Sequence, residues 1–205
     1  MNDLESFRRW SDSRRFPEVG HIYYYDGAVH VDMSKEQLYT HGAVKMEYAV
    51  VLGNLVKAAR SGRLWCDSAY VTHEGADLSC VPDFVFVSWE ALRGRRVRPI
   101  EGRETGYVEL EGSPDMALEI VSDSSARKDL VVLRDLYWRS GITEYWIVDA
   151  RRNKLMFEIL RRGPKGYVKT RRVGGWLASQ VFAKSFRLTQ QTGGDGEPEY
   201  TLEVR

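Results

Sequence analysis

Apolar and polar residues alternate in short runs along most of this chain, and the period becomes helical in two longer stretches. Residues 23–25 and 28–33 flank Asp26-Gly27, the two-residue signal of a hairpin turn. Ser34, with Gln37 three residues on, has the capping-box pattern and predicts a helix from there to about Arg60. Met46, Val50, Leu55 and Ala59 fall near one face of it, and Gly42 and Gly53 weaken it. Residues 64–72 and 78–87 predict a second hairpin around 73–77, followed by a helical turn at 89–92. Strands are predicted at 107–110, 115–122 and 144–150, and a further hairpin pairs 155–160 with 167–173. Ser124 or Ser125 caps a helix over about 127–140, which Gly141 stops. Strands in runs with helices inserted give an α/β fold with a mixed β-sheet. We expect one domain over 1–205. Residues 1–20, with breakers Pro17 and Gly20, read as irregular, and 188–205 as a loop and short strand.

Composition narrows the classes. The chain has 205 residues, 43% of them from the apolar set, which is ordinary for a globular domain. No run approaches the ~18 apolar residues of a membrane helix, and MNDLESFRRW lacks the apolar core of a signal peptide. Cys66 and Cys80 cannot make a disulfide scaffold or a four-ligand zinc site. In the expected hairpin Cys66 faces position 84 rather than 80, so both read as reduced thiols, and a cytoplasmic setting is expected. The net charge of +1 conceals blocks: residues 151–187 carry 11 basic groups and 1 acid, whereas residues 1–92 carry 9 and 13.

Two acids stand inside otherwise apolar strands. In Asp83-Phe84-Val85-Phe86-Val87, Asp83 shares a face with Val85 and Val87; in Ala117-Leu118-Glu119-Ile120-Val121, Glu119 shares one with Ala117 and Val121. An ionised acid in such a place is costly unless paired or metal-bound. Two readings are open. A divalent ion with oxygen ligands would hold both acids and activate water; or Arg127, Lys128 and Arg134 would pair with them structurally.

The stretch LEIVSDSSARKDLVVLRDLYWRSGITEYWIVDA (118–150) resembles the signature of the Uma family of restriction endonucleases (Uma-two): an acid on a strand, a Ser-rich turn, a helix ending in Tyr and Gly, then the strand EYW-x-x-D. PDFVFV (82–87) is similar to its upstream Pro-Asp strand, and the Tyr25-Asp26-Gly27 hairpin and His41 to its N-terminal part. The resemblance covers about 23–173. It implies a restriction-endonuclease-like mixed sheet flanked by helices, within the PD-(D/E)XK superfamily, and metal-dependent cleavage of DNA with Mg²⁺ or Mn²⁺. It implies Asp83 and Glu119 as the metal ligands. The Lys expected two residues after the second acid is Val121 here. The alternative position, four before the helix Tyr, is Leu133. Lys128 is the candidate replacement, with Arg134 as stand-in.

Other residues are weighed on the same basis. His41 and Glu47 lie on the first helix, where an acid of this superfamily can join the metal shell, and surface or capping roles stand against that. Asp129 suits the first turn of its helix. Tyr137 and Tyr145 suit a core, and Asp149 a turn with Arg151 and Asn153. Arg93, Arg95, Arg96 and Arg98, and Arg161, Arg162, Lys165, Lys169, Arg171 and Arg172, are candidate phosphate contacts, interleaved with Tyr167 and Trp176. Charged hairpin edges that resist aggregation are the plainer reading. There is no Gly-x-Ser-x-Gly, Walker or Gly-x-Gly-x-x-Gly motif, and the four His show no zinc spacing. Two functions remain: a metal-dependent endonuclease acting on DNA, with a homodimer suiting double-strand cleavage, or a catalytically impaired binding or regulatory module on the same fold.

Overall fold

The computed structural model describes residues 3–104, 106–151 and 155–205. Helix α1 (Leu4–Ser11) forms where an irregular segment is expected. Asp3 caps it by accepting the Ser6 N–H at 2.7 Å, and only Leu4 and Phe7 turn inward. A stripe of two apolar residues is too short to register as a helical period. Strands β1 (His21–Tyr25) and β2 (Ala28–Asp32) form the expected hairpin, with Asp26 and Gly27 both at positive φ (53° and 72°) as a two-residue turn requires.

A π-helical turn, Leu38–Ala43, leads into α2 (Val44–Ala59). The cap is Gln37, whose side chain accepts the Thr40 N–H, and not Ser34. The Ser34 hydroxyl is engaged 2.8 Å from that of Ser124. The inward face also differs from the expected one. Val44, Tyr48, Leu52 and Val56 repeat at four-residue spacing and face the sheet, while Met46 and Val50 point to solvent.

The second predicted hairpin divides between two sheets. Strands β3 (Gly62–Cys66) and β6 (Phe84–Ser88) pair with each other, with Cys66 opposite Phe84 as expected, and both cysteines are free thiols. Between them β4 (Tyr70–His73) and β5 (Leu78–Cys80) pair in another sheet. The chain leaves one sheet for the other at Asp67, held at φ 49°. There follow α3 (Trp89–Arg93), β7 (Val97–Glu101), β8 (Tyr107–Gly112) and β9 (Met116–Ile120). A second π-helical turn, Lys128–Val132, opens into α4 (Leu133–Arg139). The remaining strands are β10 (Glu144–Asp149), β11 (Met156–Gly163), β12 (Gly166–Lys169), β13 (Leu177–Ser179), β14 (Lys184–Thr192) and β15 (Pro198–Val204). The sequence pattern misses β7, β13 and β14; Thr189 to Thr192 at the end of β14 are polar and exposed, so no alternation marks them.

The central sheet has the order β12-β11-β10-β9-β6-β3, with β9 and β10 parallel and the rest antiparallel. The crossover from β9 to β10 carries α4. A second sheet runs β2-β1-β5-β4-β8-β7, and a third β13-β14-β15. This is the mixed α/β architecture the sequence predicts. Helix α2 and the third sheet cover one face of the central sheet, where Tyr48, Leu52, Phe84, Trp146 and Phe186 make one core. Helix α4 covers the other face, where Tyr137 and Tyr145 pack with Ala117, Val121 and Ile147. No helix among the described residues is long and apolar enough to cross a membrane.

Candidate active site

Asp83 precedes β6 and Glu119 lies within β9. These strands are antiparallel with Phe84 opposite Leu118, so one step further the register sets Asp83 opposite Glu119. Directly opposed residues project to the same sheet face. Both acids are buried, at 8% and 2% exposure, and both line one cleft. The cleft also takes in Asp32, Glu36, Asp67 and Asp129, together with His21, His41, Lys35 and Lys128.

Asp83 is fixed from both sides. Its Oδ2 accepts the Ile120 N–H at 2.6 Å. Its Oδ1 lies 3.0 Å from Lys45 Nζ and 3.6 Å from His41 Nε2. His41 lies in the π-helical turn and Lys45 four residues on, at the start of α2, so both side chains face the same way. Lys45 Nζ also reaches Glu36 Oε1 at 2.9 Å and Asp67 Oδ2 at 2.8 Å, so one ammonium serves three carboxylates. Burial alone would lower the Lys45 pKa; Asp83, Asp67 and Glu36 outweigh it and keep the amine charged. Burial likewise pulls Glu36 up, but Lys45 and the two histidines hold it below the usual carboxylate value. Asp67 goes the other way, raised by burial against the pull of Lys45.

Glu119 has a separate set of partners. Its Oε1 accepts the Tyr137 hydroxyl at 2.6 Å, and its Oε2 lies 3.6 Å from Lys128 Nζ. Burial pushes its carboxyl up to about 8; Lys128 opposes the rise, and Asp129 and Asp83 add to it. Lys128 Nζ is 3.1 Å from Asp129 Oδ1 and 4.5 Å above the Tyr23 ring centroid, and these neighbours keep it charged against the cost of burial. Asp129 is anchored through Oδ2 by the Ser125 hydroxyl, and its carbonyl accepts the Tyr145 hydroxyl at 2.8 Å.

The structure therefore brings together Asp83, Glu119, Lys128 and His41 of the residues the sequence singled out. Glu47 and Arg134 lie elsewhere. Glu47 Oε1 accepts the Leu202 N–H at 2.8 Å and docks β15 on α2, and Arg134 donates to the Tyr167 carbonyl at 3.3 Å. None of the basic residues suggested for phosphate contact lines the cleft. Arg96 pairs with Asp115, Arg98 with Glu111 and Lys169 with Glu158. Arg162 lies 5.2 Å over Trp138, and Arg172 donates to the Gly175 carbonyl at 3.1 Å. Arg161 is half-buried, whereas Arg93, Arg95, Lys165 and Arg171 are exposed. Tyr167 is buried with its hydroxyl on the Ile142 carbonyl, which leaves no ring face for a base; Trp176 is flanked by Arg187 and Arg205. Asp149 holds Arg151 as the turn predicts, while Asn153 lies outside the described residues.

Three functional candidates escaped the sequence reading: Lys45, Asp67 and Glu36. Lys45 is one turn past His41, a spacing that could have flagged it. Glu36 and Asp67 sit in loops whose path depends on the two-sheet arrangement. Glu36, His41 and Asp83 offer ligand atoms all within 4.8 Å of one another. His41 Nδ1 is buried without a hydrogen-bond partner and lies 3.4 Å from Glu36 Oε2. Two carboxylates suit Mg²⁺ or Mn²⁺, whereas an imidazole beside them favours a softer divalent ion than Mg²⁺.

A mixed sheet flanked by helices, with buried acids paired across adjacent strands at one cleft, defines the class: a nuclease-like fold. The chain shares this fold with a crystal structure from Anabaena variabilis ATCC 29413 described as a "putative nuclease belonging to DUF820". The TM-score is 0.62 at 19% identity, covering 88% of this chain and 90% of that one. Residues 4–191 match the model of the Uma2 family, described as "Putative restriction endonuclease", and the chain belongs to that family. No curated protein matches the chain.

Proposed function

We propose that this chain is a metal-dependent endonuclease that hydrolyses DNA phosphodiester bonds in the cleft between β6, β9 and the start of α2. The observation that carries the reading is the pair Asp83 and Glu119, buried acids set opposite each other at one cleft with Lys45 and Lys128 beside them. Family membership supports the reaction class. A bound Mg²⁺ or Mn²⁺ would lower the pKa of a water and offset charge on the phosphodiester.

The side chains divide the remaining work. The Ile120 N–H occupies Oδ2 of Asp83, so Oδ1 is the oxygen turned to Lys45 and His41 and available to a cation. Tyr137 fixes Oε1 of Glu119, which leaves Oε2 toward Lys128. Lys128 stands in for the lysine lacking at Val121 and Leu133. Held between Glu119 and Asp129, its ammonium orients the attacking water or stabilises charge developing on the phosphorane. The exposed arginines Arg93, Arg95 and Arg171 would supply backbone contacts to DNA outside the cleft.

A second reading has its own support. The absence of Lys at both expected positions favours a DNA-binding or regulatory module on the same fold. Nicking of supercoiled plasmid with Mg²⁺ or Mn²⁺ separates the two. The nuclease reading expects wild-type activity that Asp83→Ala and Glu119→Ala each abolish. DNA binding without nicking by the wild type would establish the second reading instead.

A further inference from the structure

The cleft continues into a second cavity. A groove of about 450 Å³ lies beside it and shares Ser34, Lys35, His41 and Ser122 with the cleft lining. Asp123, Ser124 and Arg151 also line this groove. We propose that the groove carries the backbone of the DNA strand on its way to the cleft, with Lys35 as the phosphate contact. The proposal rests on the reading of a DNA substrate and adds the path of the strand and the residue that holds it.

Charge is the first support. Six carboxylates line the cleft, and the lysines beside its two central acids are committed, Lys45 to Asp83, Glu36 and Asp67, and Lys128 to Glu119 and Asp129. An ammonium already paired offers a second anion a weaker field. In the groove the balance reverses, with Lys35 and Arg151 against Asp123. Arg151 is held by Asp149 at 2.9 Å and Asp123 at 3.0 Å. Lys35 is exposed, and its ammonium makes no ion pair or hydrogen bond with a described residue. It lines both cavities, so it stands where a strand passes from one to the other. The second support is the wall itself. Ser34, Ser122 and Ser124 present hydroxyls, which are common partners of phosphate oxygens. The Ser34 and Ser124 hydroxyls lie 2.8 Å apart, and Ser124 donates to Asp32 Oδ2 at 2.8 Å, so the loop before α2 is joined to the loop after β9. A wall already in place adds little ordering cost to binding.

Lys35 and Asp123 are both exposed, so substitutions there leave the core untouched. The test is fluorescence anisotropy of the full chain with a labelled DNA duplex across a range of salt, in buffer containing CaCl₂, a hard divalent ion that offsets the cleft acids. Lys35→Ala should make the slope of log K against log salt shallower by about 0.9, one phosphate, which is about 8-fold weaker binding at 0.1 M salt. Asp123→Asn removes the acid of the groove and should bind about 2-fold or more tighter. Lys57→Ala loses the same charge as Lys35→Ala from an exposed position at the other end of α2 and should keep the wild-type slope. A wild-type slope in Lys35→Ala, an equal drop in Lys57→Ala, or no tightening in Asp123→Asn overturns the proposal; plasmid nicking by the wild type then leaves the endonuclease reading standing. If Lys35→Ala and Asp123→Asn behave as expected and the wild type does not nick, the groove stands and the endonuclease reading falls. If the wild type binds no duplex, both fall.

Discussion

Tyr137 donates its hydroxyl to Glu119 across 2.6 Å, from a helix to a strand it covers, with both side chains buried. The same hydroxyl lies 3.3 Å from the Cys80 thiol on β5, so one phenol joins the central sheet, the second sheet and α4. Tyr137→Phe keeps the ring packing and removes the donor. Glu119 is then left with Lys128 alone, and the expected loss is about 1–3 kcal/mol, the cost of an unsatisfied buried acceptor. Urea unfolding of the two proteins measures it; an unchanged midpoint would mean that the bond contributes nothing net.

Glu119 also makes stability depend on pH. Burial pushes its folded carboxyl up to about 8, above the ordinary glutamate value of 4.5. Between those values the folded state keeps a proton that the unfolded chain has released. The stabilising contribution is therefore complete below the unfolded pKa and is lost as pH rises through the folded one. Melting temperature in metal-free buffer should fall relative to Glu119→Gln between about pH 5 and 8, by several degrees. A constant difference between the two proteins across that window would contradict the raised carboxyl.

The sequence made Asp83 and Glu119 visible because a charge inside an apolar strand is a local anomaly, readable without the fold. Lys128 was reachable by counting from the expected lysine positions. Lys45, Asp67 and Glu36 were not. Each looks like an ordinary surface charge, and what unites them is a loop leaving one sheet for another at Asp67. The face of α2 was misread for a related reason: Met46 and Val50 are apolar yet exposed, while the buried stripe includes Lys45. A lysine paired with three carboxylates can face a core, and hydropathy does not register the pairing. The short terminal strand was legible and is β15, whereas β14 before it was not, because it ends in exposed Thr and Gln.

Phosphate contacts should show in the salt dependence of DNA binding. Arg96 and Arg98 are already paired with carboxylates, whereas Arg93, Arg95 and Arg171 are exposed. Each phosphate neutralised contributes a slope of about −0.9 in log K against log salt. Fluorescence anisotropy with a labelled duplex should give a shallower slope for the Arg93→Ala, Arg95→Ala, Arg171→Ala protein, by about one unit for each phosphate that is no longer neutralised. Arg96→Ala should leave the slope close to wild type. Equal slopes for all three proteins would remove these arginines from the interface.

Glu144, the acid of the EYW strand, has a different task from the acids of the cleft. It is fully buried at the start of β10 and accepts from the Gln180 N–H at 2.6 Å, the Ser179 hydroxyl at 2.7 Å and the Trp146 indole at 3.0 Å. These donors lie on its own strand and at the end of β13, so one carboxylate fastens the third sheet to the central one. Glu144→Ala strands three donors and should cost at least about 3 kcal/mol. Glu144→Gln keeps one acceptor oxygen but turns an amide toward a donor, and should cost about 1–3 kcal/mol. The loss should be local before it is global: hydrogen exchange in Glu144→Gln should rise first at β13 and at residues 180–182. Uniform acceleration across the central sheet would show instead that Glu144 supports the whole core and not the junction.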